Sequence, residues 1–327
     1  MLVRMALIRI SHQTVYRYRE PVQFGEHRFM CRPRGSHDLR LVETGLTVRP
    51  TPKLRWIHDV FGNSVLVATF AEKASELVFE STFTAEHYPV DPDVELIEPY
   101  AETLPFTYDA SEIPDLSRVM ERHYPDPRHQ VDAWVRAVCA EAGTARTLEV
   151  LFAITRAIKA QFAYEARDDE GTRTPTDTLA RGSGSCRDFA LFMMEAVRSL
   201  GLAARFVSGY LYGDVLPGSD AAVVGGGATH AWVEVYLPGA GWLPFDPTNA
   251  IIGGRHLIRV ATARDPSQAA PLRGSYVGPA DAYLGITVNV TVAVTGSFGD
   301  PVPAAVGEQL DPVSGPVTGK VPAAGTP

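Results

Sequence analysis

Cysteine is scarce in this chain. Its 327 residues contain three, Cys31, Cys139 and Cys186. An odd number cannot pair completely within one chain, which excludes a full disulfide framework and fits a reducing compartment. No apolar run approaches the roughly 20 residues of a membrane span. The opening stretch Met1 to Pro21 has scattered arginines and no apolar signal-peptide core. The expected location is cytoplasmic, with no membrane partner. No metal-ligand spacing stands out either, so neither a metal nor a cofactor is expected.

What is present is the composition of a globular protein. Hydrophobic residues make up 45% of the chain, and its length suits two domains with sizeable cores. From Leu7 to about Tyr88, short β-branched and aromatic runs are punctuated by Gly, Pro and Asn, which predicts an all-β domain over residues 1–88. Cys31 falls in a predicted strand, where nothing beyond packing is indicated. Residues 89–125 read as a connector rich in Pro, Asp and Glu, without clear periodicity.

A helix is predicted from Asp126-Pro127 to Gly143, with Cys139 on its apolar stripe and therefore structural. A second begins after Thr147, with Leu148, Leu151, Phe152, Ile158 and Phe162 facing inward. Ile286, Val288, Val290, Val292 and Val294 alternate with polar or small residues as a strand. That strand is grouped with a domain over residues 126–295, its pairing partner left open. Pro, Gly and Ala dominate from Gly296, so residues 296–327 are expected to form a disordered tail.

Charge is uneven. Met1 to His58 carries 11 Lys+Arg against 4 Asp+Glu, so the net −8 of the chain leaves −15 for the remainder. A basic front end is one mark of nucleic-acid binding. Here the arginines are spread over several predicted strands, which favours solvated strand faces, and no nucleic-acid partner is expected. Glu86 to Asp126 holds 11 acidic residues against Arg118 and Arg122. This suggests that the connector lies against the basic domain.

The chemistry concentrates in three segments that supply a thiol, an imidazole and a carboxylate. From Phe189, apolar residues recur at Phe192, Met193, Ala196, Val197 and Leu200, the pattern of a helix burying one stripe, and Gly201 suits its C-terminal cap. Ser185 can cap its start, with Asp188 in a capping-box-like position. Cys186 then falls in the first turn, where free N–H groups and the helix dipole favour a thiolate. Most lone cysteines are buried structural residues, so the cysteine by itself decides nothing.

The other two segments add weight. Thr229 to Leu237 alternates as a strand, with His230, Trp232, Glu234 and Tyr236 on one face; Pro238 to Gly241 turn, and Trp242 to Asp246 run back. Pairing Tyr236 with Ala240 would set His230 opposite Asp246. Pairing Leu237 with Trp242 would offset them by three positions, and Pro244 leaves the register open. In either register the two side chains lie on neighbouring strands near one end.

The segments Gly184-Ser185-Cys186-Arg187-Asp188-Phe189-Ala190, Arg198 to Tyr210, His230-Ala231-Trp232-Val233-Glu234-Val235 and Gly241 to Asn249 resemble the transglutaminase-like superfamily in its bacterial branch, in the family's order. Upstream, Tyr16 to Val22, Arg32-Pro33-Arg34 and Asp59-Val60-Phe61-Gly62-Asn63 resemble the β-rich domain that precedes the core in that branch. The resemblance implies an α+β chain, an N-terminal all-β domain followed by a papain-like transglutaminase core in which a cysteine-bearing helix packs on an antiparallel sheet. It implies Cys186 as nucleophile, His230 as general base and acid, and Asp246 as the residue that orients the imidazole.

A peptide or protein amide is the implied substrate, passing through a thioester on Cys186 to water or to an amine. Hydrolysis, as in a cysteine protease or amidase, is favoured over a transglutaminase reaction by analogy with the bacterial branch. A non-catalytic scaffold would be expected to have lost a triad residue, and all three are present. The backbone N–H of Cys186 and the Tyr164 hydroxyl are candidate oxyanion donors, and Trp232 and Trp242 are candidates to shield the triad. Tyr164 and both tryptophans have a packing role as the alternative. The loop from Asp214 to Thr229, with Gly225-Gly226-Gly227, is a candidate lid. Related enzymes include calcium-dependent ones, but Asp214 and Asp220 alone fall short of the roughly six to eight oxygens calcium takes.

Overall fold

A computed structural model describes residues 5–88, 94–166, 171–213 and 228–294. All but the last two residues of the expected lid, and the whole of the expected tail, residues 296–327, lie outside the described residues. Six strands come first: β1 (Ala6–Phe24), β2 (His27–Phe29), β3 (Leu39–Arg49), β4 (Pro52–His58), β5 (Ser64–Phe70) and β6 (Ala74–His87). Helices α1 (Ile113–Met120), α2 (Gln130–Ala142) and α3 (Thr147–Gln161) follow, then β7 (Ala163–Tyr164), α4 (Pro175–Arg181), β8 (Ser183–Gly184) and α5 (Cys186–Arg198). The chain continues through β9 (Ala204–Leu211), β10 (His230–Leu237), β11 (Gly241–Asp246), β12 (Ile251–Ile252) and β13 (Leu257–Ala263). It closes with β14 (Leu272–Arg273), β15 (Tyr276–Val277) and β16 (Tyr283–Val294). The fold is α+β, as expected.

The N-terminal domain is two antiparallel sheets. One has the order β15-β1-β6-β3, with β16 also on β1; the other runs β14-β2-β5-β4. Alternation along β1 and β6 turns one face inward, and Tyr18, Phe24, Phe29, Leu66, Leu77 and Phe79 fill the space between the sheets. Cys31 is buried there, just past β2 rather than within a strand. The C-terminal strand corrects its expected assignment: β16 pairs with β1 from Ile8↔Val294 to Tyr18↔Tyr283, so it belongs to the N-terminal sheet. With β14 and β15, the end of the chain returns to close the domain with which it began.

The core domain packs α5 against a five-stranded antiparallel sheet of order β12-β11-β10-β9-β13. Alternation in β10 sends Ala231, Val233, Val235 and Leu237 into the cluster with Phe189, Phe192 and Met193 of α5. Helix α2 starts at Gln130, where the Asp126 carboxylate accepts from the Gln130 and Val131 N–H groups. It stops at Gly143, whose φ of 64° is the left-handed cap a glycine supplies without strain.

The connector corrects a second expectation. Its described part contains α1, started by Pro114, and packs on the core rather than on the basic domain. Tyr108 donates its hydroxyl to the Tyr236 carbonyl and accepts from the Ala203 N–H, Arg198 donates to the Val119 carbonyl, and Arg122 pairs with Glu195 and Asp132.

The two domains interlock through β9 and β13. Ile8, Ile10 and Phe83 pack with Tyr210, Ile258 and Val260, and His12 bonds the Tyr210 hydroxyl at 2.8 Å. Asn63 grips β13 through both ends of its amide: it donates to the Thr262 carbonyl at 2.7 Å and accepts from the Thr262 N–H at 2.9 Å. At the centre of β9, a Cβ on Gly209 would strike the Ile258 carbonyl oxygen and lie 2.7 Å from the Trp232 ring. Gly209→Ala is expected to destabilise the protein by about 1–3 kcal/mol through overpacking. Urea unfolding of the variant checks this, and an unchanged midpoint would show that the strands can part there at no cost.

Candidate active site

Cys186 is the first residue of α5, at the join between β8 and the helix. The Asp188 carboxylate, fully buried, accepts from the Ser185 N–H at 2.8 Å, the Ser185 hydroxyl at 3.0 Å and the Arg173 N–H at 2.7 Å. The expected capping box is thus present, and the Ser185 hydroxyl also donates to the carboxylate. The result is a rigid helix entrance with the thiol 7% exposed. As the first helical residue, Cys186 has a backbone N–H with no intrahelical acceptor.

His230 opens β10 and Asp246 closes β11, and their side chains meet. Nε2 lies 2.8 Å from Asp246 Oδ2, with both side chains 0% exposed. The register is neither of the two weighed from sequence. Leu237 pairs with Gly241 and Val233 with Phe245, so Asp246 stands opposite Trp232, two positions from His230. An even offset keeps both on one face, since strand side chains alternate with period two.

Asp246 also accepts from the Thr248 N–H at 2.9 Å and from the Asn249 side chain at 3.0 Å. Asn249 was not singled out from sequence, although the run Asp246-Pro247-Thr248-Asn249 is that of an Asx-type turn, in which the aspartate bonds the backbone just ahead of it.

The electrostatics follow from burial and pairing. Burial acts most strongly on His230 and by itself would lower its pKa. The Asp246 charge and hydrogen bond, with a smaller push from Cys186, outweigh it and raise the pKa to about 10. Burial works to raise that of Asp246, but His230, Asn249 and the Thr248 N–H hold it below its usual value. His230 Nδ1 is buried without a conventional hydrogen-bond partner. Nε2 being taken by Asp246, Nδ1 is the nitrogen left to serve the thiol.

Tyr164 sits on β7, which runs parallel to β8 with Tyr164 paired to Gly184, two residues before the thiol. Its phenol is pushed up to about 12, by burial first and then by the charges of Cys186 and Asp246, which places it within electrostatic reach of both. Trp232 is buried, with its ring 6.2 Å from that of His230 and inclined by 28°, stacked on the imidazole. Trp242 is not at the His230–Asp246 pair. It pairs with Tyr236, six residues along β10 from His230, and its ring lies 4.1 Å from the Arg205 guanidinium. Cys31, fully buried with its thiol pushed up to about 12, lies in the core of the N-terminal domain, and Cys139 on α2 packs, half-buried, against the same core cluster that holds Cys186. Among the described residues, no group of three or more His, Cys, Asp or Glu could hold a metal ion.

Comparison with known proteins places this architecture. Residues 8–86 match the bacterial transglutaminase-like N-terminal region, and residues 132–247 match the transglutaminase-like superfamily. Together the two take in more than half of the chain, which belongs to the transglutaminase-like superfamily. An uncharacterized protein of Mycobacterium tuberculosis is 29% identical over 294 residues, 86% of this chain and 91% of its own. A candidate cysteine protease of Cytophaga hutchinsonii shares the fold, with a TM-score of 0.65 over 92% of this chain and 94% of its own at 22% identity. A protein-glutamine gamma-glutamyltransferase of Pseudomonas aeruginosa is 41% identical over 66 residues, 20% of this chain and 10% of that enzyme.

Two outcomes are expected of this geometry. The raised pKa of His230 stabilises the fold fully below its ordinary 6.5, and that contribution is lost as pH climbs through about 10. The lowered pKa of Asp246 stabilises above its ordinary 3.8, and that contribution is lost as pH falls through the depressed value. The imidazolium resonances of His230 should therefore persist to about pH 10, and Asp246→Asn should bring their titration steeply down, because burial is then no longer offset. An unmoved titration would show that another group holds the proton. Substoichiometric iodoacetamide near neutral pH should label Cys186 ahead of Cys31 and Cys139, as read by peptide mapping; the reverse order would remove Cys186 as the reactive thiol.

Proposed function

We propose that the protein is a thiol amidohydrolase, a cysteine protease or amidase acting through a Cys186 thioester. The observation that carries the reading is the sealed His230–Asp246 pair with its second imidazole nitrogen left for a thiol at a helix entrance. The Cys186 sulfur, its proton taken by His230 Nδ1, attacks an amide carbonyl carbon and the oxygen becomes an oxyanion. The oxyanion collapses, the C–N bond breaks, and His230 returns the proton to the leaving amine. Water, deprotonated by the same nitrogen, then attacks the thioester to release a carboxylic acid and restore the thiol.

Asp246 keeps the imidazole aimed and stabilises its charged form. The Cys186 N–H and the Tyr164 hydroxyl are the oxyanion donors of this reading. An amine acceptor in place of water is the second reading. The segment similar to the Pseudomonas aeruginosa gamma-glutamyltransferase favours it. The intact triad supports either reaction over a catalytically silent scaffold.

Mass spectrometry of a peptide library, with and without a primary amine, separates the two: hydrolysis adds water at cleaved or deamidated sites, whereas transfer adds the amine to glutamine. Cys186→Ala should abolish both products, and Asp246→Ala should lower turnover by about 10³–10⁴-fold by analogy with serine triads. Tyr164→Phe should lower kcat by about 10²-fold if its hydroxyl serves the oxyanion, and wild-type kcat in that variant would return Tyr164 to a packing role.

A further inference from the structure

Two arginines of the basic N-terminal domain line adjoining cavities that the triad chemistry does not use, and one of them, Arg34, faces the core. Arg32 and Arg34 line a cavity of about 400 Å³ beside Trp56. Arg34 also lines a second cavity, of about 480 Å³, whose opposite wall is the outer face of the core sheet. The two cavities adjoin at Arg34 and together run from the N-terminal domain onto β9, β10, β11 and β13, with volumes in the range that takes small ligands or side chains.

The groove carries excess positive charge. The Arg32 guanidinium lies 5.8 Å from the Trp56 ring centre, and Arg34 donates to the Gly62 carbonyl at 2.8 Å; neither has a carboxylate partner among the described residues. On the core wall, Arg205 and Arg259 share the buried Glu234, at 2.7 and 3.2 Å, and Arg205 lies on Trp242. Asp38 stands on the N-terminal wall, near enough to Arg259 for the two charges to act on each other, so the positive excess rests on Arg32 and Arg34. With histidines neutral, four guanidinium groups face two carboxylates. Trp232 forms part of the same wall, 1% exposed, and its indole N–H is buried with no acceptor among the described residues. That is an unsatisfied donor on a wall already rich in donors. Trp232 also stacks on His230, so one side chain separates the groove from the triad.

We propose that this groove is an exosite for an acidic peptide segment of the protein on which Cys186 acts. Glutamate or aspartate carboxylates take the donors of Arg32 and Arg34, while the segment's backbone lies along Trp56 and Trp242. A guanidinium fork matches a carboxylate in geometry as well as charge. Nucleic acid fits less well, because its binding rests on many closely spaced phosphates, and here Asp38 and Glu234 interrupt the cationic surface. The choice of a substrate protein as occupant rests on the amide-transfer reading, whereas the groove's affinity for acidic peptide does not.

The test therefore measures binding without turnover. Full-length protein carrying Cys186→Ala is titrated into fluorescein-labelled octaglutamate, octaglutamine and a single-stranded oligonucleotide, with anisotropy read at low ionic strength. Octaglutamate should bind at least about tenfold more tightly than either comparison probe, and Arg34→Glu or Arg32→Glu should each weaken it by about tenfold or more, the scale of one repulsive charge placed against the ligand. Circular dichroism establishes that each variant is folded; with the two arginines on separate attachments, either folded variant suffices. Equal binding of octaglutamate and octaglutamine, tighter binding of the oligonucleotide, or wild-type affinity in a folded variant would overturn the proposal. Any of these would leave the triad reading intact, just as a triad that failed to turn over peptides would leave the binding result standing.

Discussion

The rest of this protein depends on keeping one ion pair dry. His230 and Asp246 are both fully buried at 2.8 Å, and an isolated buried charge would cost several kcal/mol. The pair survives because the carboxylate is hydrogen-bonded on both oxygens. Asp246 spends its oxygens on His230, the Thr248 N–H and the Asn249 amide, and the imidazole keeps one nitrogen for the thiol side. Such a cluster tolerates no slack, so the sheet beneath it has to be rigid. Gly209 allows β13 and the Trp232 ring to close upon β9 directly beside it.

The N-terminal domain extends that rigidity. It is sealed by the last described strand of the chain, so the segment after the core sheet is tied back to the first strand along eleven residue pairs. Asn63 and His12 then fasten this sandwich to β13 and β9 through hydrogen bonds buried among apolar side chains. Bonds in such surroundings are shielded from competing water. The acidic connector braces the opposite side, where the buried Glu195–Arg198 pair on α5 ties Arg122 and the Val119 carbonyl to the helix that carries Cys186. The cysteine helix is thus held at both ends, by Asp188 at its entrance and by this network at its exit.

Much of the site was legible in the sequence because its parts are local. The helix bearing Cys186 announced itself by period and by Gly201, the hairpin by strict alternation and the Pro238 to Gly241 turn, and both have the expected positions. What was not legible depended on pairing across space. The hairpin register falls between the two that were weighed, because Gly241 rather than Trp242 takes the place opposite Leu237. Strand β16 could be seen as a strand but not as a partner of β1, some 270 residues earlier. Helix α1, eight residues long, is too short for its period to stand out, and Trp242, close to Asp246 in the chain, sits far along the hairpin from His230.

The sequence by itself determined which groups are available and in what local setting: a thiol opening a helix, an imidazole opening a strand, and a carboxylate opening an Asx-type turn. These follow from φ/ψ preference, side-chain period and capping, which act over a few residues. The tertiary structure alone decided that His230 and Asp246 share a face and that Trp232 stacks on the imidazole. It also decided that Arg34 of the first domain faces the arginines of the core across a groove. Those outcomes depend on register, on burial and on the pKa of a histidine raised by a buried partner, and none of them exists until the strands have paired.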